Sequence, residues 1–186
     1  MSKEGVANAF HLLYLRPMKI FWISVVLLYS LSLQAQTKRS KYSVFYFLGE
    51  DCRICEYYAP EINRLDSLYS GEEFQFQGLF PSRYSTEKGI EAFKEKYEIQ
   101  IPLKLEYFAT KTKSFGVTIT PEVVVYNNES EKIIYRGRID DSYVRVGRRR
   151  RVIQERDLES LLHQLISGEE PEYIETQAIG CYITFR

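Results

Sequence analysis

The stretch Tyr42-Ser-Val-Phe-Tyr-Phe-Leu-Gly-Glu-Asp-Cys52-Arg-Ile-Cys55 leads from an apolar, aromatic run into a segment typical of a helix. A thiol in the first turn of a helix faces backbone N–H groups without helical partners and the positive end of the helix dipole, so its thiolate is stabilised. A second thiol one turn later can resolve a mixed disulfide formed by the first. The spacing therefore favours a redox-active pair in which Cys52 attacks and Cys55 resolves.

A C-x-x-C motif alone is also compatible with a structural disulfide or with half of a zinc site. A structural zinc site needs four ligands. Beyond the pair the sequence offers Cys181, His163 and His11, of which the last lies upstream of the expected mature domain. Attachment of a c-type haem requires a histidine directly after the motif, and this chain has Glu56 there. We therefore predict neither a metal nor a cofactor.

Two further motifs make the pattern specific. Pro60 completes C-x-x-C-x4-P, and Phe115-Gly-Val-Thr-Ile-Thr-Pro121 precedes the apolar run 122–126. In this order and at this separation the motifs resemble the thioredoxin superfamily, over about residues 41–166. The resemblance implies an α/β fold, a thioredoxin-like three-layer sandwich with a central mixed β-sheet flanked by helices. It also implies that Thr120 and Pro121 bind substrate beside the cysteines, with a cis bond that exposes the Thr120 backbone.

Shorter phrases resemble a narrower group, the exported bacterial redoxins related to alkyl hydroperoxide reductase and thiol-specific antioxidant proteins (AhpC/TSA). They are Gly78-Leu-Phe-Pro81, Tyr84-Ser-Thr-Glu87, Tyr135-Arg-Gly-Arg-Ile-Asp-Asp141 and Glu175-Thr-Gln-Ala-Ile-Gly-Cys181. This resemblance implies a redoxin domain followed by a tail that carries the third cysteine.

Three positions depart from the related enzymes. Peroxiredoxins orient peroxide with the proline and threonine of P-x-x-x-T-x-x-C, and here those positions hold Phe45 and Gly49. Thioredoxin has a buried acid six residues before the nucleophile, where this chain has Tyr46. Peroxide reduction is therefore not expected, and the usual proton acceptor for the resolving thiol is missing.

The pattern along the chain alternates between strands and helices, as in a mixed α/β sheet. Residues 148–151 are four consecutive arginines, which are typical of a solvated loop. The predicted strands are 42–48, 74–80, 103–107, 123–126 and 132–136, and the predicted helices are 52–69, 85–97 and 155–166, with a helical turn at 110–115.

The start of the chain indicates export. Lys19 precedes the apolar run 20–33, and Ala35 offers a small residue for cleavage. We predict an upstream extension plus signal peptide at 1–35 with Met18 as the true start, a redoxin domain at 36–168 and a C-terminal tail at 169–186. The alternative is an uncleaved segment that anchors the protein in the membrane, facing the periplasm.

The charge balance and the third cysteine bear on which partners the protein binds. The chain has 25 basic and 25 acidic residues, a balance that gives no indication of nucleic-acid binding. Cys181 either has a structural or inert role or serves as a third redox thiol, the latter if the tail folds back over the pair. The expected partners are protein dithiols or disulfides and a redox partner that the sequence does not identify.

Together these features predict an exported, periplasmic thiol–disulfide oxidoreductase that reduces, oxidises or isomerises protein disulfides. Two alternatives stay open, a peroxiredoxin-like thiol peroxidase and a non-catalytic thioredoxin-fold binding module. The direction of electron flow also stays open, because Glu50, Asp51 and Glu56 oppose formation of a thiolate whereas Arg53 and the helix N-terminus favour it.

Overall fold

The computed structural model describes residues 40–71 and 73–186 of the chain. The predicted signal segment, its cleavage point and the predicted start at Met18 lie outside these residues. The helices described are α1 (Arg53–Tyr69), α2 (Glu87–Lys96), α3 (Thr110–Ser114) and α4 (Asp157–Ile166). The strands described are β1 (Tyr42–Phe47), β2 (Phe74–Phe80), β3 (Leu103–Leu105), β4 (Ile119–Thr120), β5 (Glu122–Asn127), β6 (Lys132–Gly137), β7 (Tyr143–Arg145), β8 (Arg148–Arg149), β9 (Ile174–Glu175) and β10 (Cys181–Tyr182).

Six strands form one mixed sheet in the order β3-β2-β1-β5-β6-β9. Strand β1 lies at its centre, parallel to β2 and antiparallel to β5. Two small antiparallel sheets lie beside it, one made of β4 and β10 and the other of β7 and β8. The predicted central mixed sheet flanked by helices is therefore confirmed.

The two faces of the sheet bury different side chains, because successive residues of a strand point to opposite sides. Val44 and Tyr46 of β1 belong to the larger apolar cluster, to which α1, α2 and α4 all contribute. Phe45 and Phe47 belong to a smaller cluster on the other face, against which Phe115 packs directly after α3. Every residue of β1 is buried, as expected for a strand that is covered on both sides.

The predicted boundaries hold to within a few residues, and the differences have local causes. Helix α2 begins at Glu87 rather than at residue 85, because the Thr86 side chain accepts a hydrogen bond from the Gly89 N–H at 3.0 Å and caps the helix. The four arginines of 148–151 are exposed, as expected for a solvated segment. They do not form only a loop, however, because β8 pairs with β7 in a short hairpin.

Within residues 40–71 and 73–186, no helix has the length and apolar character needed to cross a membrane.

Candidate active site

The two motif cysteines lie where β1 turns into α1. Cys52 is the N-cap residue of α1, and its carbonyl accepts the first helical hydrogen bond, from the Glu56 N–H at 3.0 Å. Cys55 lies in the first turn, where its sulfur accepts a hydrogen bond from the Gly49 N–H at 3.4 Å. Both side chains are buried, with Cys52 only 3% exposed. The helix N-terminus thus presents both sulfurs to one buried site.

Thr120 and Pro121 lie beside this pair. Their peptide bond is cis, in agreement with the expectation from the resemblance. The Thr120 carbonyl oxygen is 3.2 Å from the Cys52 sulfur. Gly49 packs closely against both residues, since a Cβ at that position would lie 3.2 Å from Thr120 Oγ1 and 3.4 Å from the Cys52 Cβ. An added Cβ at 49 would require the Thr120 side chain to shift by a few tenths of an ångström.

The surroundings of Cys52 favour its thiolate and lower its pKa to about 5. A hydrogen bond from the Cys55 thiol has the largest effect; burial opposes it, and a hydrogen bond from the Cys181 thiol adds to it. The backbone amides of Cys55 and Ile54 at the start of α1 also lower the pKa, although neither forms a full capping hydrogen bond. The Thr120 carbonyl oxygen is an acceptor, so its contact with the Cys52 sulfur stabilises only the neutral thiol. The pKa is lowered because the hydrogen-bond donors stabilise the thiolate by more.

Cys55 shows the opposite behaviour. Its complete burial raises its pKa well above the usual value, and the hydrogen bond to Cys52 and the negative charge on Cys52 raise it further. The two cysteines of the motif therefore differ in protonation near neutral pH, with Cys52 as the thiolate and Cys55 as the thiol. This is the division of roles that a nucleophile and a resolving thiol require.

The structure also brings Cys181 to the site, 126 positions after Cys55 in the sequence. It is the first residue of β10 and pairs with Thr120 of β4. The residue as a whole is exposed, but its thiol is partly desolvated against Cys52. This desolvation and the hydrogen bond to Cys52 raise the pKa of Cys181 to about 12. No disulfide joins any of the three cysteines, all of which lie in the described part of the chain.

A cleft of about 180 Å³ opens beside Cys52 and Cys181. The loop after β1 forms one wall, and the segment after β2 forms another. The C-terminal tail (residues 169–186) closes the remaining side. The lining side chains nearest the chemistry are Cys52, Thr120 and Cys181, with Glu50, Asp51 and Tyr84 at the walls.

Two tyrosines that no sequence motif marks lie on α1 directly after the cysteines. Tyr57 and Tyr58 both contact the Tyr143 ring at the base of the β7–β8 hairpin, and the Arg149 guanidinium lies 4.7 Å from the centroid of the Tyr57 ring. The Tyr58 hydroxyl donates to buried Asp140 at 2.6 Å. Spacing along the chain gave no signal for this group, because it joins residues more than 80 positions apart.

The three residues that differ from the related enzymes, Phe45, Tyr46 and Gly49, do not lie together at the site. Gly49 borders the site, whereas Phe45 packs in the smaller cluster on the opposite face of the sheet from the face that α1 covers. Tyr46 is buried in the larger cluster, where burial raises the pKa of its hydroxyl. None of the three places a side-chain hydrogen-bond donor at the Cys52 sulfur.

The structure describes one of the two histidines considered as metal ligands. His163 is exposed on α4, and His11 lies outside the described residues. In the part of the chain that the structure describes, no group of three or more His, Cys, Asp or Glu side chains is arranged to hold a metal ion.

Among the comparisons with known proteins, only the solved structures give matches. No protein-family model matches the chain, and no curated protein matches it. Its structure is similar to that of a hypothetical protein from Sinorhizobium meliloti, with a TM-score of 0.68 and 18% identity over 82% of this chain and 84% of that one. An uncharacterized conserved protein from Geobacillus kaustophilus gives 0.69 and 19%, over 80% and 79%.

A third similar solved structure carries a name that states its fold. It is that of a thioredoxin-like protein in the oxidized form, with a TM-score of 0.51 and 15% identity over 73% of this chain and 84% of that one. At these identities the similarity establishes the fold, which is thioredoxin-like.

Proposed function

We propose that the protein is a thiol–disulfide oxidoreductase that uses Cys52 and Cys55. The observation that carries the proposal is the contrast between two adjacent buried sulfurs at one helix N-terminus. The pKa of Cys52 is lowered to about 5, whereas that of Cys55 is raised well above its usual value. Structural cysteines have no need for this difference, but a nucleophile and its resolving thiol do.

The reaction proceeds in two exchanges. The Cys52 thiolate attacks one sulfur of a substrate disulfide, and the other substrate sulfur leaves as a thiolate and takes up a proton. Cys55 then loses its proton and attacks the Cys52 sulfur, which releases the second substrate thiolate. The substrate gains two electrons and two protons, and the protein is left with a Cys52–Cys55 disulfide. The same steps in reverse oxidise a substrate dithiol.

The raised pKa of Cys55 keeps that thiol inactive until it is needed. Part of the increase comes from the negative charge on Cys52. This charge disappears once Cys52 is bound in the mixed disulfide, so the pKa of Cys55 falls at the step in which Cys55 must lose its proton. No separate carboxylate is required to trigger the change, which fits the presence of Tyr46 where thioredoxin has its acid.

We propose that substrates are extended segments of proteins that contain a disulfide or a dithiol. Thr120 and Pro121 support this assignment, because the Thr120 backbone lies at the edge of β4 next to the Cys52 sulfur. Edge groups of a strand bind extended chains by main-chain hydrogen bonds, and the pairing of β10 with this edge shows that it accepts an extended segment. The redox partner that restores the pair is proposed to be a second protein of the same chemistry.

The test uses single serine variants and two readouts. We expect both Cys52→Ser and Cys55→Ser to lose turnover in the reduction of the insulin disulfides by a dithiol donor. Cys55→Ser retains its nucleophile, so it should form mixed disulfides with partner proteins that are visible on a non-reducing gel, and Cys52→Ser should form none. Equal trapping by both variants would reverse the two roles. A peroxidase would instead retain peroxide turnover in Cys55→Ser with another resolving thiol, and a binding module would need neither cysteine.

We also propose that the protein is exported to the periplasm. The apolar run 20–33 after Lys19 and the small residue Ala35 support this proposal from the sequence. The alternative is a retained N-terminal segment that holds the domain at the membrane surface, and the N-terminus of the mature protein distinguishes the two.

A further inference from the structure

The C-terminal tail crosses the candidate active site as an extended strand. Cys181 pairs with Thr120, and the next residue of β10 pairs with Ile119, in antiparallel register. The pairing continues with a hydrogen bond from the Ile183 N–H to the Thr118 carbonyl at 2.9 Å. The tail therefore occupies the edge at which the proposed function places an extended substrate.

The tail is anchored on both sides of this crossing. Ile179 packs against the larger apolar cluster, and Ile183 packs against the smaller one on the other face of the sheet. Farther along, the Thr184 carbonyl accepts a hydrogen bond from the Arg83 N–H at 2.8 Å. These contacts hold Cys181 beside Cys52.

Gly180 allows the close approach of the two strands. A Cβ at this position would lie 2.0 Å from the Thr120 carbonyl oxygen and 2.6 Å from its carbon. Backbone atoms cannot move aside as a flexible side chain can, so any other residue would push the tail away from β4. The position of Cys181 thus depends on the glycine directly before it.

We propose that the tail is a tethered substrate and that Cys181 is a third redox-active thiol, which forms a disulfide with Cys52. The proposal rests on the proposed function, because it requires Cys52 to take part in thiol–disulfide exchange. Its geometric basis is the juxtaposition of Cys181, Cys52 and the Thr120 backbone.

The exchange is balanced without an external oxidant once the motif disulfide exists. The Cys181 thiol loses its proton and attacks the Cys52 sulfur of the Cys52–Cys55 disulfide. A Cys52–Cys181 bond forms, the Cys52–Cys55 bond breaks, and Cys55 leaves as a thiolate that takes up the proton. In the same way Cys181 can displace a partner from a mixed disulfide on Cys52, so that the partner leaves as a thiol.

The tail therefore competes with protein substrates. Cys52 is only 3% exposed, and residues 181–184 of the tail line the cleft beside it, so an incoming protein must displace part of the tail before its sulfur can reach Cys52. Because Cys181 is held in place, its effective concentration exceeds that of a partner in free solution. Substrates that bind the Thr120 edge more tightly than the tail are selected.

Peptide mapping provides a direct test, because the three cysteines fall in different tryptic peptides, 42–53, 54–64 and 157–186. Reduced Cys55→Ser is treated with glutathione disulfide, which places glutathione on Cys52. We expect Cys181 to displace it, so that peptide 42–53 becomes linked to peptide 157–186. In the Cys55→Ser/Cys181→Ser variant the glutathione should remain on Cys52, and mixed disulfides with partner proteins should accumulate to a higher level than in Cys55→Ser.

A second comparison tests the strand pairing itself. In the Cys55→Ser background, Gly180→Ala retains all the reacting sulfurs but displaces the tail, and a misplaced reacting group costs on the order of 10²-fold in rate. We expect the Cys52–Cys181 link to form more slowly by that factor. Tyr182→Ala is the matched control, since this neighbouring side chain is 87% exposed, and it should form the link at the parent rate.

The outcomes separate this proposal from the proposed function. If glutathione stays on Cys52 of Cys55→Ser without a link to peptide 157–186, Cys52 is a working nucleophile and the tail proposal is wrong. If Gly180→Ala and Tyr182→Ala form the link at the same rate, the strand pairing does not position Cys181. If Cys52 takes up no glutathione in any variant, the proposed function fails and the tail proposal fails with it.

Discussion

The lowered pKa of Cys52 predicts how its alkylation rate depends on pH. A thiol reacts as its thiolate, so the rate should remain nearly constant down to the pKa and fall only below it. For Cys52 that value is about 5, and the largest contribution comes from the hydrogen bond donated by the Cys55 thiol. We therefore expect Cys55→Ala to make the rate strongly dependent on pH in the range where the wild-type rate is almost flat.

The size of the change follows from the thiolate fractions. Between pH 7 and pH 5.5 a thiol of pKa about 5 loses only about 1.3-fold in rate, whereas one near 9 loses about 30-fold. A hydrogen bond to a charged group contributes about 1.5–3 kcal/mol, or about one to two pH units. The drop for Cys55→Ala should therefore be about 4- to 16-fold. Cys181→Ala should give a smaller drop, since its hydrogen bond to Cys52 contributes less than that of Cys55.

The assay alkylates the reduced protein with iodoacetamide at a series of pH values, in a reductant without thiols, and measures the modification of peptide 42–53. A ratio of rates within one protein cancels the slowing caused by the burial of Cys52. A synthetic peptide of the same residues is the control, with the ordinary drop of about 30-fold. A wild-type drop of the same size would refute the assignment of Cys52 as a stabilised thiolate. An unchanged drop in Cys55→Ala would refute the role of Cys55 as donor.

Three further predictions concern activity, export and stability. Oxidation of Cys52 by hydrogen peroxide, measured by stopped flow, should proceed at the rate of an ordinary thiolate. Phe45 lies on the opposite face of the sheet and donates no hydrogen bond to a peroxide, and the loss of one positioned donor costs about 10²–10³ in rate. A rate constant several decades higher would favour the peroxidase. N-terminal sequencing of protein from a bacterial periplasm should begin near Gln36, and an intact N-terminus in a membrane fraction that resists salt and carbonate washing would support the anchor instead. Tyr58→Phe should lower the free energy of unfolding, measured in urea, by about 1–3 kcal/mol, because buried Asp140 loses a hydrogen-bond donor at 2.6 Å. Tyr57→Phe is the control and should lower that free energy by less, since the Tyr57 hydroxyl lies 3.3 Å from the Ser142 hydroxyl.

Local sequence was sufficient for the framework of the fold. Each feature used for the fold lies within a short stretch of the chain. These features are the apolar run of β1, the cysteine motif with Pro60, the segment that ends at Pro121 and the leucines of α4. Each is read from neighbouring residues or from a helical period, and the structure has a helix or strand at each predicted place. The position of Cys52 at the start of α1 was predictable for the same reason. The stabilisation of a thiolate by the helix start was predictable with it, because it depends on backbone groups within one turn.

The environment of that thiolate was decided only by the tertiary structure. Cys181 lies on a strand of two residues, too short to show any periodicity, and it reaches Thr120 through pairing between segments about 60 positions apart. Phe45 and Tyr46 are adjacent in the sequence but face opposite sides of the sheet. The sequence by itself determined that two cysteines with the spacing of a redox pair stand between β1 and α1. Folding determined that the tail covers the pair and adds a third sulfur, because pairing at long separation depends on the packing of the whole domain.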